Sequence, residues 1–399
     1  MKILMLTPYL PYPLLSGGQI RTFNLLKNLK NRHEITLFSL IKDDEERQYI
    51  PKLQELCKKV VLLKRTKNPW DLRNVLLAGF TAYPFVVTRN MPVKAARLID
   101  RELKQNNYDL IHAETFYMMP NIPKTKVPTL LVEQTIEYLG YQSYANKTKF
   151  WPIKPLLYVD IAKIKFWEKY YWQQATRLVT MSDEDKRFIS REVGKKIAID
   201  VVANGVDMDF FARAKKDYPE DPTVLFVGTF KWLPNADAVE FLVEEIWPHI
   251  IKQIPNAKLH IVGFSPNNKI INYGKKLSIK ISGGIADIRD AYRKAHVLLA
   301  PIRSGKGTRY KVLEAMAMGL PVVGTPLSVE GLDVRPGIEA LVANSPKGLA
   351  QKTVQLLKDK ALQQTLAKNG KVLVTNKYDW KIISRELDRI YQDLGRHGY

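Results

Sequence analysis

A chain of 399 residues exceeds what a single hydrophobic core serves, so two domains of about 200 residues each are expected. The lone cysteine, Cys57, excludes an intramolecular disulfide and any cysteine-based metal cluster, and no stretch approaches the roughly 20 apolar residues of a membrane span. A net charge of +22, spread over both halves, favours anionic partners such as nucleotide diphosphates, acidic lipid head groups or nucleic acid; a lysine-rich solvated surface is the alternative.

Met1 runs straight into an apolar strand, KILMLT, without a secretory-signal pattern, and a cytoplasmic location is expected. A loop with Gly17 and Gly18 follows, then a helix with Ile20, Phe23, Leu26 and Leu29 on one face, then the strand EITLFSL. Further strands are predicted at KVVLL near Val60, LIHA at 110–113, PTLLVE at 128–133 and RLVTMS at 177–182. Gly205, Pro219 and Pro222 mark a boundary over 204–222. Beyond it TVLFVGTF, KLHIVGF, IKISGG, VLLAPIR, LPVVGT and EALVAN read as strands separated by helical segments. The alternation predicts α/β architecture with two doubly wound parallel sheets. The closing segment KYDWKIISRELDRIYQDLG repeats Ile382, Leu387, Ile390 and Leu394 at near-helical spacing.

The most informative stretch is SGKGTRYKVLEAMAMGLPVVGTP, Ser304 to Pro326. Gly305 and Gly307 let backbone approach a ligand closely, Lys306, Thr308 and Arg309 supply donors, and the loop runs into a helix bearing Glu314. Amides at a helix start and the positive end of its dipole suit a phosphate, and Glu314 can accept bonds from a ribose. An ordinary carboxylate favoured by the helix dipole is the plainer reading.

This order of basic loop, LEAMA helix and Gly-x-Pro-Val-Val strand resembles the donor-binding signature of family 4 glycosyltransferases, retaining enzymes of the GT-B fold. The resemblance implies two Rossmann-like domains facing across a cleft: residues 1–203, completed by a helix over 380–399, on the acceptor side, and residues 204–379 holding a nucleotide sugar. It implies Glu314 on the ribose, and Lys306, Gly307, Thr308, Arg309 and Tyr310 around the diphosphate and sugar. Lys306 stands where most members carry a first glutamate. SGGQIRTFNLLKNL resembles the family's first loop, which makes Gly17 and Gly18 donor or acceptor contacts. TVLFVGTFKWLPNADAVEFL resembles the first strand and loop of the second domain, bringing Gly228 and Thr229 to the donor. The usual Arg and Lys of that loop are missing, so phosphate neutralisation falls to Lys231 or Arg309. His112, in YDLIHAETF, is expected at a strand's carboxyl end touching the donor sugar, with Glu114 toward the acceptor.

Cleaving a sugar–diphosphate bond leaves charge on phosphate oxygens, which Arg and Lys stabilise without a metal. The acidic pairs at Asp183–Asp185 and Asp207–Asp209 match short metal-chelating motifs, but both lie in turns beside strand ends, and no essential metal is expected. No cofactor is called for; the donor expected is a UDP-sugar, and the acceptor a glycan or lipid-linked glycan. Lys147 to Gln174 interleaves Lys, Trp and Tyr, suiting an anionic membrane surface, a core helix using Ile161, Ile164, Phe166 and Trp167, or stacking on single-stranded nucleic acid. No nucleic-acid recognition motif accompanies the charge. The reading is a retaining, metal-independent glycosyltransferase of cell-surface polysaccharide or glycolipid synthesis, peripheral at the inner membrane face. Its alternatives are a nucleotide-sugar epimerase and an inactive nucleotide-sugar-binding homologue.

Overall fold

The computed structural model describes residues 1–148, 150–194, 197–213, 217–305 and 309–396. The chain divides into two units, 1–203 with 383–399, and 204–382.

The N-terminal unit is built on a seven-stranded sheet in the order β3-β2-β1-β4-β5-β6-β7. Its strands are β1 (Lys2–Thr7), β2 (Glu34–Ile41), β3 (Lys59–Lys64), β4 (Leu110–Glu114), β5 (Thr129–Glu133), β6 (Arg177–Thr180) and β7 (Ile199–Val201). Every pairing is parallel. Apolar runs such as ILML and LLV are needed because helices cover both faces of such a sheet. One face carries Leu4, Leu6, Phe38, Leu63 and Ile99, the other Phe116, Leu131, Ile164, Trp172 and Ile189.

The C-terminal unit repeats the plan with six strands in the order β10-β9-β8-β11-β12-β13, all parallel. They are β8 (Thr223–Val227), β9 (Lys258–Val262), β10 (Ile279–Ser282), β11 (Val297–Ala300), β12 (Val322–Gly324) and β13 (Leu341–Val342). The core gathers Phe226, Val239, Trp247, Ile261, Leu299 and Val354. Both sheets reverse strand order beside their first strand, at β1/β4 and β8/β11, and ligands of doubly wound sheets bind at the carboxyl ends there.

Each predicted strand is present; β7, three residues long, escaped the pattern because it is too short to show a period. Helix Gly17–Leu29 is turned from its expected face: Leu25, Leu26 and Leu29 are buried with Arg21, Thr22 and Asn24, whereas Ile20 and Phe23 are half-buried. Hydrogen bonds offset that polar burial, Arg21 Nη1 donating to Ala203 O at 2.9 Å and Asn24 Nδ2 to Ile20 O at 2.8 Å. Helix Lys154–Gln174 buries Ile161, Ile164, Tyr171 and Trp172 but leaves Phe166 exposed, so it is a core helix on one side only. The closing helix Trp380–Arg396 buries Ile383, Leu387, Ile390, Tyr391 and Leu394, with Ile382 half-buried.

Candidate active site

In the C-terminal unit the carboxyl ends of β8 and β9 are drawn together without side chains between them. A Cβ on Gly263 would lie 1.6 Å from the Gly228 carbonyl oxygen, and one on Gly228 2.8 Å from Asn235 Cγ. The Gly228 amide continues the ladder to Val262 O at 3.0 Å. Asn235, opening helix Leu233–Phe241, locks the following loop by donating Nδ2 to Thr229 O at 2.9 Å.

Beyond β11 the loop reaches Gly305, whose φ of +94° is a left-handed conformation open to glycine. Arg309 is 9% exposed, donates Nη2 to Gly305 O at 2.6 Å, and has its Nε buried with no protein partner. Helix Tyr310–Ala317 follows, and its first turn carries a cation that the sequence reading passed over. Lys311 Nζ donates to Asn235 Oδ1 at 2.8 Å and lies over the Phe226 ring, 4.4 Å from its centroid. Burial and the positive Arg309 push this ammonium down to about 7, against the pull of Glu314. Glu314, three residues on and so on the same helix face, accepts from the Tyr292 hydroxyl at 2.7 Å. Burial raises its carboxyl above the usual range, with the Tyr292 bond and Lys311 opposing. The unit therefore converges an arginine, a lysine, an asparagine and a carboxylate on the ends of β8 and β11. The i, i+3 spacing of Lys311 and Glu314 was the available signal.

Lys231 is exposed in the loop after β8, and the cation anchored to Asn235 is Lys311. Thr229 lies in the same loop, and Tyr310 is half-buried at the helix start. Lys306, Gly307 and Thr308 lie outside the described residues. The acidic pairs serve as helix starts: Asp207 Oδ1 accepts from Phe210 N at 3.0 Å, and Asp183 to Asp185 fill the first turn of helix Asp183–Val193.

In the N-terminal unit β4 continues through Glu114, so His112 lies inside the sheet, paired with Met5 and Leu130, rather than at the strand end as expected. Side chains two apart share a face of a strand, and His112 Nε2 meets Glu114 Oε1 at 3.1 Å. His112 Nδ1 meets the Tyr391 hydroxyl of the closing helix at 2.6 Å. Both residues are fully buried. The network reaches outward through Gln134, whose Nε2 donates to Glu114 Oε2 at 2.7 Å and to the Tyr9 hydroxyl at 2.6 Å. Burial alone would raise Glu114; the bond and charge of His112, the charge of Arg21 and the Gln134 bond hold it below the ordinary carboxylate value. Gly17 and Gly18, expected in a loop, form the first turn of helix Gly17–Leu29, and Tyr9 and Gln134 pack on it: a Cβ on Gly18 would lie 2.5 Å from Tyr9 Oη and 2.9 Å from Gln134 Oε1. Ser16 caps that helix, its Oγ accepting from Gln19 N at 3.4 Å, with Gly17 first in the helix. A cavity of about 850 Å³ lined by Met1, Lys2, His33, Glu34 and Asp109 opens at the amino edge of this sheet, away from these groups.

Two family models match the chain: "Glycosyltransferase Family 4" over residues 15–210 and "Glycosyl transferases group 1" over residues 221–359. A phosphatidyl-myo-inositol mannosyltransferase from Mycobacterium tuberculosis is 28% identical over 233 residues, covering 55% of this chain and 60% of that protein. The chain thus matches somewhat under two thirds of the length of that relative. Among solved structures, sucrose-phosphate synthase from Thermosynechococcus elongatus superposes with a TM-score of 0.75 at 18% identity, covering 100% of both chains. HepE from Anabaena, solved with UDP-glucose, gives a TM-score of 0.65 at 15% identity, covering 98% of this chain and 100% of that one. These likenesses place the fold in the GT-B class.

Proposed function

The chain belongs to the group 1, family 4 glycosyltransferases, and from that premise we propose that it transfers a sugar, with retention of configuration and without a metal, from a UDP-sugar to a glycan or lipid-linked acceptor. The observation that carries the donor half is the convergence of Arg309, Lys311, Asn235 and Glu314 at the ends of β8 and β11. Arg309 turns a buried, partnerless Nε toward a diphosphate, and Lys311 gains its proton fully when that dianion arrives. Glu314 keeps one oxygen on Tyr292 and takes a ribose hydroxyl on the other.

As the bond between the anomeric carbon and the diphosphate breaks, negative charge grows on the departing oxygen. Arg309 and Lys311 stabilise it in place of a metal ion. The acceptor oxygen bonds to the anomeric carbon on the face the diphosphate leaves, and its proton passes to the departing phosphate oxygen. On the acceptor side Tyr9 and Gln134 are the half-buried groups that meet substrate. Glu114 and His112 act through them as positioning residues, fixed by Tyr391.

The protein works at an anionic membrane surface. Among the described residues no helix is long and apolar enough to cross a membrane. Exposed apolar residues are carried instead by two neighbouring helices and the segments that lead into them: Lys163 Nζ donates to Ala78 O and Thr81 O at 2.7 and 2.8 Å, tying Lys154–Gln174 to Leu72–Phe80. Phe80 is 87% exposed and Trp151 77%, with Trp70, Leu72, Phe150 and Leu156 also exposed. Aromatic rings beside lysines suit head groups of acidic lipid. The mannosyltransferase relative is named for a phosphatidyl-inositol acceptor, and HepE was solved with UDP-glucose, which support a lipid-linked acceptor and a uridine donor.

The test is thermal shift against UDP, GDP, ADP and UDP-sugars in EDTA. UDP and one UDP-sugar should raise the melting temperature selectively, and Glu314→Gln should remove the rise. A folded protein that responds to no nucleotide, or only with divalent metal restored, would sink the reading.

A further inference from the structure

Arg65 and Arg89 share the carboxyl edge of the N-terminal sheet and belong to no network described above. Arg65 immediately follows β3, and Arg89 closes the short helix Phe85–Thr88. Arg65 Nη1 donates to Asn90 Oδ1. Asn90 is itself fixed, donating Nδ2 to Val86 O at 2.7 Å and accepting Asn121 Nδ2 on its carbonyl at 3.0 Å. The Nε of each arginine is buried without a hydrogen-bond partner, and neither guanidinium makes an ion pair among the described residues. Burial, and then the like charge of Arg89, pull Arg65 down to about 10. Two half-buried cations that repel one another, each with a buried and unpartnered Nε–H, are costly, and such groups are found where a counter-charge completes them.

The surroundings specify the counter-charge. Arg89 acts electrostatically on Tyr117, Glu137, Tyr141 and Asp160. Asp160 is taken up by the Phe85 amide at 2.8 Å and Glu137 accepts from Thr135 Oγ1 at 3.3 Å, and neither carboxylate reaches ion-pair contact with the arginines among the described residues. Two guanidiniums with vacant inward N–H groups match a tetrahedral anion with several oxygens better than a carboxylate. Trp70 stacks on Phe85 with centroids 4.8 Å apart, placing the exposed apolar surface beside the arginines.

We propose that Arg65 and Arg89 form an anion subsite that holds a phosphate or diphosphate ester carried by the acceptor, with Glu137 beside it to accept from the acceptor's hydroxyls. The proposal rests on the transferase reading, since only a protein with a second substrate needs a second phosphate site. Saturating UDP occupies the donor site, so calorimetric titration of inorganic pyrophosphate into UDP-saturated protein reads this subsite alone. Wild type should bind. Arg65→Met and Arg89→Met should each weaken binding by roughly ten- to a hundredfold, the worth of one charged hydrogen bond. Arg89→Lys should fall between, and the unliganded variants should melt no lower than wild type because an uncompensated cation has been removed. If UDP itself fails to bind, pyrophosphate is titrated alone. Loss in Arg89→Met with retention in Lys311→Met then upholds the subsite while the donor reading falls. Sedimentation with phosphatidylcholine vesicles, with and without phosphatidylglycerol, separates the sources. Loss of the phosphatidylglycerol-dependent fraction in both methionine variants identifies a lipid phosphate, and loss of pyrophosphate binding alone a soluble ester. Equal pyrophosphate affinity in wild type and both variants, or a methionine variant that melts well below wild type, would overturn the proposal.

Discussion

Replacing Lys311 by methionine separates what the lysine costs the fold from what it gives the ligand. In the unliganded protein burial and Arg309 lower the ammonium from the usual 10.5 to about 7. The unfolded chain therefore binds a proton that the folded chain does not over that window, and stability rises with pH between the two values. The interval corresponds to roughly 5 kcal/mol at most below its lower end. Lys311 is only half-buried and the substitution also forfeits the Asn235 bond and the ring contact, so a net gain of about 1–2 kcal/mol at pH 7 is expected. Lys311→Met should flatten the rise of stability toward alkaline pH, as followed by denaturant titration across that range. UDP affinity should fall by roughly ten- to a hundredfold, one charged hydrogen bond. Calorimetry in two buffers of different ionisation heat, slightly above the lysine's midpoint, should show wild type taking up most of a proton on binding UDP and the variant taking up none. A variant less stable than wild type that binds UDP equally well would refute the assignment, since Lys311 would then be a structural residue.

The remaining expectations concern the scaffold and the surface. Glu133 is buried, takes the Trp172 indole N–H at 2.9 Å on Oε1, and leaves Oε2 without a partner. Burial and neighbouring Glu168 raise it well above the usual range, so it contributes stability that grows as pH falls from neutral toward its unfolded value. Glu133→Gln should flatten that acid-side gain in difference melts, and an unchanged pH profile would disprove it. Gly263→Ala drives a methyl into the Gly228 carbonyl, and a loss of about 3 kcal/mol or more is expected by chemical denaturation; a loss under about 1 kcal/mol would mean that the strand ends are not pinched. Phe80→Asp and Trp151→Ser change residues with little to pack against, so they should leave the melting temperature within a degree or two while abolishing vesicle sedimentation; retained sedimentation would dismiss this face as the membrane contact.

The sequence by itself determined the succession of strands and helices, because apolar runs, turn residues and helical spacing are local properties that the backbone must satisfy in place. KILMLT, LIHA, TLLVE and VLLA became parallel strands where expected, and LEAMA became part of helix Tyr310–Ala317, with Arg309 at its start and Glu314 within it. What the tertiary structure decided is which of those residues share an environment. Lys311 is one of many lysines in the sequence; its approach to Asn235, 76 residues away, and its burial over Phe226 are what lower its ammonium to about 7. His112 reads as a strand-end residue, but β4 runs on to Glu114, which meets its Nε2, and the closing helix delivers Tyr391, 279 residues later, to its Nδ1. Arg21 and Arg65 look like surface charge in a basic chain and are instead drawn inward by Ala203 and Asn90. Spacing along a chain encodes periodicity, whereas desolvation and the meeting of distant side chains arise only when the elements pack, and it is desolvation that lowers Lys311 and Arg65.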